Sequence, residues 1–202
     1  MTKVVVDITM SLDGFVTGAG ADPQHGLGDA EELHTWVMDQ DETDTAVLEQ
    51  ATARSGAVVM GRRLFDVIDG PDGWSADMGY GAQFAAAPPY FVVTHRPPGD
   101  VRLARELGLR FTFVESVDAA VEQARAAAGG RDVVIMGGGE VVAQAIEQGL
   151  ADELDLHIAP MILGSGTPMF RDGMRQRYRQ REVRPSRNAV HVAYDRVADP
   201  LA

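Results

Sequence analysis

The sequence predicts an α/β fold: a mostly parallel central sheet with helices on both faces and an antiparallel edge at the C-terminal end. Three observations predict it. Short β-branched runs alternate with helical stretches through most of the 202 residues. One run, Val133-Val134-Ile135-Met136, passes straight into Gly137-Gly138-Gly139 and then into a helical segment. The last stretch carries two strands and no helix. Alternation of this kind gives a parallel sheet covered on both faces, and the strand-only tail gives its antiparallel edge.

In chain order, Lys3 to Met10 is apolar and β-branched and reads as a strand. Ser11-Leu12-Asp13-Gly14 reads as a turn, in which Asp13 can bond to local backbone. A glycine-rich loop runs from Gly18 to Gly28. Asp29 to Met38 has a capping residue, early acids and helical apolar spacing. Asp44 to Arg54 is a second helix. Gly56 to Met60 is a strand, and Leu64 to Ile68 a helical turn. Pro71 to Pro89 is irregular and reads as a surface insertion, the other reading being a divide between two lobes. Tyr90 to Thr94 and Leu109 to Val114 are strands. Ser116 caps a helix from Val117 to Ala128. Arg131 to Met136 is the strand before the glycines. Val141 to Gln148 is a helix stopped by Gly149. Leu154 to Ile158 is a strand, Gly164 to Pro168 a loop, and Tyr178 to Val183 with Ala189 to Val197 a closing hairpin. No repeat or linker divides the chain, so residues 1–202 are expected to form one domain.

Composition narrows the function. The formal charge is −12, which argues against a nucleic-acid partner, since that needs a basic face. No run approaches the ~18 apolar residues of a membrane span. The chain enters a strand at once, with no signal peptide, and has no cysteine, so a cytoplasmic location is expected. Without cysteine, and with its five histidines at no ligand spacing, no metal site is expected. Lys3 is the sole lysine, which makes arginine the natural phosphate partner.

Two places point to an anionic ligand. Gly137, Gly138 and Gly139 remove side chains where something must approach the backbone. The helix start behind them, at Glu140 and Val141, offers free N–H groups and a positive dipole end suited to a diphosphate. The alternative is a tight turn without a ligand. Upstream, Gly61 ends a buried run and is followed by Arg62, Arg63 and Leu64. A guanidinium there can hold a phosphate through paired donors, or stand solvated at a helix start. No Gly-x-Gly-x-x-Gly follows the first strand, so the doubly wound dinucleotide fingerprint is missing.

In order, the pieces Met10-Ser11-Leu12-Asp13-Gly14-Phe15, Val59-Met60-Gly61-Arg62-Arg63-Leu64-Phe65, Val92-Val93-Thr94-His95-Arg96-Pro97, Ile135-Met136-Gly137-Gly138-Gly139-Glu140 and Asp152 to Pro160 resemble the dihydrofolate reductase fold. They are most similar to the branch containing the reductase domain of bacterial riboflavin biosynthesis. The resemblance implies an NADPH-dependent reductase that passes hydride to a C=N or C=O carbon of a small heterocyclic or sugar-like substrate. It implies that the glycine turn carries the diphosphate, that Arg62 and Arg63 meet the 2′-phosphate and diphosphate, and that Thr94 and His95 lie near the adenosine. Leu64 stands where the family commonly has a hydroxyl. The loop with Met10 and Asp13 closes over the nicotinamide, with Asp13 either a catalytic acid or a turn tie.

The family also has a carboxylate on the helix after this loop. Glu32, with Trp36 one turn on, fits that place, though its spacing to Gly61 is long; both acids at 31 and 32 also suit a helix start. His157 matches a pterin-holding hydroxyl and is a candidate proton donor with Glu32; a structural histidine is the other reading. The branch is commonly dimeric, so a homodimer is expected. Dihydrofolate reduction proper, or a nucleotide-binding dimer without catalysis, are the alternatives.

Overall fold

The computed structural model describes residues 2–80 and 87–197. Strand β1 (Val4–Met10) leads to the short β2 (Phe15–Thr17), a 3-10 turn (Glu31–His34), the one-turn α1 (Thr35–Met38) and α2 (Glu42–Arg54). Next come β3 (Ser55–Gly61), α3 (Arg62–Asp69), β4 (Tyr90–Val93), α4 (Arg102–Leu107), β5 (Phe111–Val114) and α5 (Val117–Ala127). The remainder is β6 (Asp132–Ile135), α6 (Gly139–Glu147), β7 (Glu153–Ile158), β8 (Thr167–Pro168), β9 (Tyr178–Pro185) and β10 (Val190–Arg196).

Eight strands form one sheet in the order β5-β4-β3-β6-β1-β7-β10-β9. The first six are parallel, and β10 and β9 close the edge antiparallel. This is the architecture the alternating pattern predicts. All seven residues of β3 are buried, as a strand covered on both faces requires. Alternate residues part to opposite faces. Val4, Val6, Ala57, Val59 and Phe91 pack with Val117, Val121 and Val142 of α5 and α6. Val58, Met60, Tyr90 and Val92 pack with Phe65 and Ile68 of α3 and Leu103 of α4.

Several predicted elements are corrected. The helix expected from Asp29 to Met38 is broken into the 3-10 turn and α1, neither with a side-chain cap. Asp29 instead accepts from the Ala19 amide at 2.8 Å, pinning the glycine-rich loop. Helix α2 starts two residues before the predicted Asp44, because Asp41 and Asp44 form a reciprocal capping box. Helix α4 was not predicted: its cap is Asp69, which accepts from the Arg102 and Leu103 amides across more than thirty residues. The Gly164–Pro168 loop contains β8, paired with β2 through the Thr17 and Thr167 hydroxyls at 2.9 Å. The irregular Pro71–Pro89 stretch lies partly outside the described residues, at 81–86. No helix among those described is long and apolar enough to cross a membrane.

Candidate functional site

The C-terminal ends of β3, β4 and β6 lie side by side and bring the predicted anion-binding residues together. The Gly61 amide donates to the Gly137 carbonyl at 2.9 Å, one step beyond the bond from Met136 to Val59. The three glycines serve three purposes. Gly137 has φ +132°, a conformation side chains rarely adopt, and a Cβ there would lie 3.3 Å from Leu64. Gly139 is packed: a Cβ would sit 2.8 Å from Thr167 Cγ2 and 2.9 Å from Val16 Cγ2. Gly138 has an ordinary φ of −72°, and a Cβ there would meet nothing within 4 Å. The Gly137–Gly138 peptide is cis.

Gly138 is the N-cap of α6 and has no side chain to satisfy the first amides, so the helix start stays open. Val141 packs beside Gly61; a Cβ on Gly61 would lie 3.1 Å from Val141 Cγ2. Glu140 is exposed and paired with Arg171, on the outer side of the same turn.

Arg62 and Arg63 part company. Arg62 is held by its own surroundings, with Nε 2.7 Å from Asp66 Oδ1 and Nη1 on the Arg96 carbonyl. Arg63 is exposed and pairs with no carboxylate among the described residues. Thr94 follows β4, its hydroxyl accepting from the Arg96 amide at 3.1 Å, and His95 is exposed beside it.

Of the residues predicted for the substrate and the proton, Trp36 and His157 come together, and Met10, Asp13 and Glu32 stand apart from them. Met10 ends β1 and packs partly into the core. Asp13 accepts from Ser11 Oγ and from the Leu163 and Gly164 amides at 2.6–3.0 Å, tying two loops. The Ser11 bond first, then the amides, hold its carboxyl down at about 2. Glu32 is exposed on the 3-10 turn. Trp36 is 3% exposed, its Nε1 donating to Thr9 Oγ1 at 3.0 Å. The expected shared face of Glu32 and Trp36 fails because the helix changes type between them.

His157, 4% exposed, lies in a buried polar chain that sequence reasoning missed. Its Nε2 is 3.0 Å from Asp7 Oδ1, and its Nδ1 is 2.8 Å from Nδ1 of His191. His191 Nε2 is in turn 2.9 Å from Oδ1 of the fully buried Asp44. Trp36 covers both imidazoles, with ring centroids at 4.4 and 4.9 Å. Register explains the assembly: Thr9, His157 and His191 are cross-strand neighbours, as are Asp7, Asp155 and Ala193. The readable signal was polar residues at alternate positions in apolar strands, Asp7 with Thr9 and Asp155 with His157.

The chain borders a cavity of about 50 Å³, lined among others by Asp7, Arg54, Asp155 and Arg181. It lies beneath α2, away from the glycine turn. Below it Arg54 bridges Asp132, Glu153 and Asp155 at 2.8–3.1 Å. Burial pushes the Glu153 carboxyl up, but hydrogen bonds from Arg181, Lys3 and Arg54 outweigh it and leave it at about 2. Asp155 goes the other way: burial, then the Asp7 charge, raise it to about 6 despite Arg54 and Arg181. No cluster of histidine and acids among the described residues is arranged to hold a metal ion.

This fold is shared with known proteins. The family model for the RibD C-terminal domain matches residues 2–192. The chain belongs to the RibD C-terminal domain family. Its relatives include the uncharacterized protein YyaP of Bacillus subtilis (strain 168), 25% identical over 199 residues, covering 95% of this chain and 94% of YyaP. A putative riboflavin biosynthesis protein from Shewanella sp. PV-4 is 19% identical, with a TM-score of 0.66 over 98% of this chain and 99% of that one. A Thermotoga maritima diaminohydroxyphosphoribosylaminopyrimidine deaminase/5-amino-6-(5-phosphoribosylamino)uracil reductase is 12% identical, with a TM-score of 0.65. The alignment covers 97% of this chain and 57% of that one. At these identities the structures show the fold, which is the dihydrofolate reductase-like one of RibD C-terminal domains.

Proposed function

We propose that this RibD C-terminal-type domain is an NADPH-dependent reductase of a small, uncharged heterocycle or sugar-like compound. The observation that carries the reading is the open space over Gly138 at an uncapped helix start, with Arg63 exposed nearby and in no ion pair among the described residues. The residues fit a dinucleotide: Gly138 and the first amides of α6 take the diphosphate, Arg63 the 2′-phosphate, and Thr94 with His95 the adenosine. When bound, NADPH supplies the hydride. The chain's own residues position and enclose, which is most of what a reductase fold contributes. Water at the open strand ends supplies the proton in this reading, because His157 is enclosed by Asp7, His191 and Trp36.

The substrate class follows from charge. Residues 4–53 and 132–170 contain no lysine or arginine. They build β6, β1 and β7, on the far side of β3 from β4 and β5, together with β2, α1 and β8. Arg171, just beyond, is paired with Glu140 and Glu147. A phosphoribosyl group, named in the Thermotoga protein's activity, meets no free cation on these elements. Dihydrofolate itself is disfavoured as well. The buried carboxylate on the helix leading into β3 is Asp44, and both its oxygens are occupied, by His191 and by the Asp41 amide. The active form in this proposal is a homodimer.

The test is NADPH binding by fluorescence, followed by NADPH oxidation over carbonyl and imine substrates offered with and without phosphate. Turnover of the uncharged members supports the reading. Tight binding with no oxidation would leave a nucleotide-binding protein, and absence of binding would remove the cofactor assignment.

A further inference from the structure

Asp7, His157, His191 and Asp44 make three contacts in series, at 3.0, 2.8 and 2.9 Å. Each joins two atoms that bear lone pairs unless a proton lies between them. A carboxylate brings none, and a neutral imidazole brings one. Two carboxylates and two neutral imidazoles therefore hold two protons for three contacts. One contact would then set bare lone pairs against each other in a buried site, where an unmade hydrogen bond is costly. A fourth proton is no better. With both rings doubly protonated, two N–H groups would collide across the 2.8 Å between the Nδ1 atoms.

From this count we propose that the four residues bind three protons and carry a net charge of −1, so that closure of α2 onto the sheet takes up one proton beyond two neutral histidines. The tie joins α2, through Asp44, to β1, β7 and β10. Its surroundings are mixed in charge. Asp155, Arg54 and Arg181 face the Asp7 end from β7, α2 and β9, with Glu182 and Arg184 on the cavity wall and Tyr80 behind. His34 stands near His157 and Asp41 near His191, and Arg187 is bound to Asp41. Burial holds the His191 imidazole below its ordinary value, with Asp44 pulling the other way, in keeping with refusal of the fourth proton. The extra proton belongs to the chain as a whole and not to any one ring.

Asp44→Asn tests the count without breaking the contacts. The amide nitrogen can donate to His191 Nε2 while the amide oxygen keeps the bond from the Asp41 amide. All three contacts are then satisfied with two neutral imidazoles. Unfolded parent and variant titrate alike above about pH 5, so the ratio of their unfolding constants reads the folded proton difference alone. The parent-to-variant ratio should rise about tenfold per pH unit between roughly pH 5 and 7.5. A ratio independent of pH overturns the proposal. Should the variant not fold, proton NMR of the parent decides: three exchange-protected bridging protons in this cluster support the count, and two refute it.

Discussion

Arg62 Nε lies 2.7 Å from Asp66 Oδ1 across the first turn of α3, while Arg62 Nη1 holds the carbonyl of Arg96. Two adjacent arginines that look interchangeable in the sequence are thereby separated. One fastens the end of β3 to the turn after β4. The other remains available for a ligand.

Arg63→Ala should therefore weaken NADPH by about 1–3 kcal/mol, the scale of a lost charged hydrogen bond, and leave NADH nearly unchanged. Arg62→Ala should affect both cofactors alike, by loosening the turn. Calorimetric titration of both variants with both nucleotides checks this. Equal losses of NADPH and NADH in Arg63→Ala would exclude a 2′-phosphate contact.

The glycines separate fold from binding. Gly138→Ala meets open space at an ordinary φ, so thermal unfolding without ligand should match the parent while NADPH binding drops sharply. Gly137→Ala forces a side chain into φ +132° against Leu64 and should lower the melting temperature itself. Full NADPH affinity in Gly138→Ala would show that the cofactor passes elsewhere.

Asp155 gives a pH dependence of known sign. Its folded value, raised to about 6, lies above the ~3.9 of an unfolded aspartate, so folding takes up a proton between these values. Stability from this group is present below about pH 4 and is lost as pH rises through about 6. Asp155→Asn removes that loss. Between roughly pH 4 and 7 the parent should lose about 1–3 kcal/mol relative to the variant, measured by urea unfolding. Parallel curves would rule the raised value out.

The outer edge offers a test of assembly. Val183 and Val190 are exposed and, by register with Val192, lie on one face of β9 and β10. If a two-fold dimer covers them, light scattering at micromolar concentration should give twice the 21.7 kDa chain mass. Val183→Glu with Val190→Glu should then yield a folded monomer. A monomeric parent would count against the dimer.

The parallel sheet was legible because its strands are short apolar runs with local signals at their ends. Gly149 shows this: it follows α6 at φ +66°, where a glycine stop belongs. Distant partners were not legible. Asp69 caps α4 from the end of another helix, and Asp44 finds His191 across 147 positions. The glycine triplet could be recognised but not divided by role, since φ and neighbours are set by Leu64, Val16 and Thr167 from three other segments. Glu32 answers the resemblance through its place one turn before Trp36, whereas the burial of Asp44 against the sheet depends on how α2 packs, which no local pattern shows.

Lys3, the sole lysine, pairs its amine with Glu153, a carboxylate only 1% exposed. The lysine side chain remains half exposed. Apart from the chain's own α-amine, every amine-reactive label, crosslinker or immobilising surface must therefore attach at the counter-charge of an interior acid. Neutralising that amine strips Glu153 of one of its three cations. A reagent usually chosen as an innocuous surface tag would act here as a chemical lesion at the start of the central strand. Thiol chemistry at an introduced cysteine on the exposed side of α5 is the safer handle for this chain.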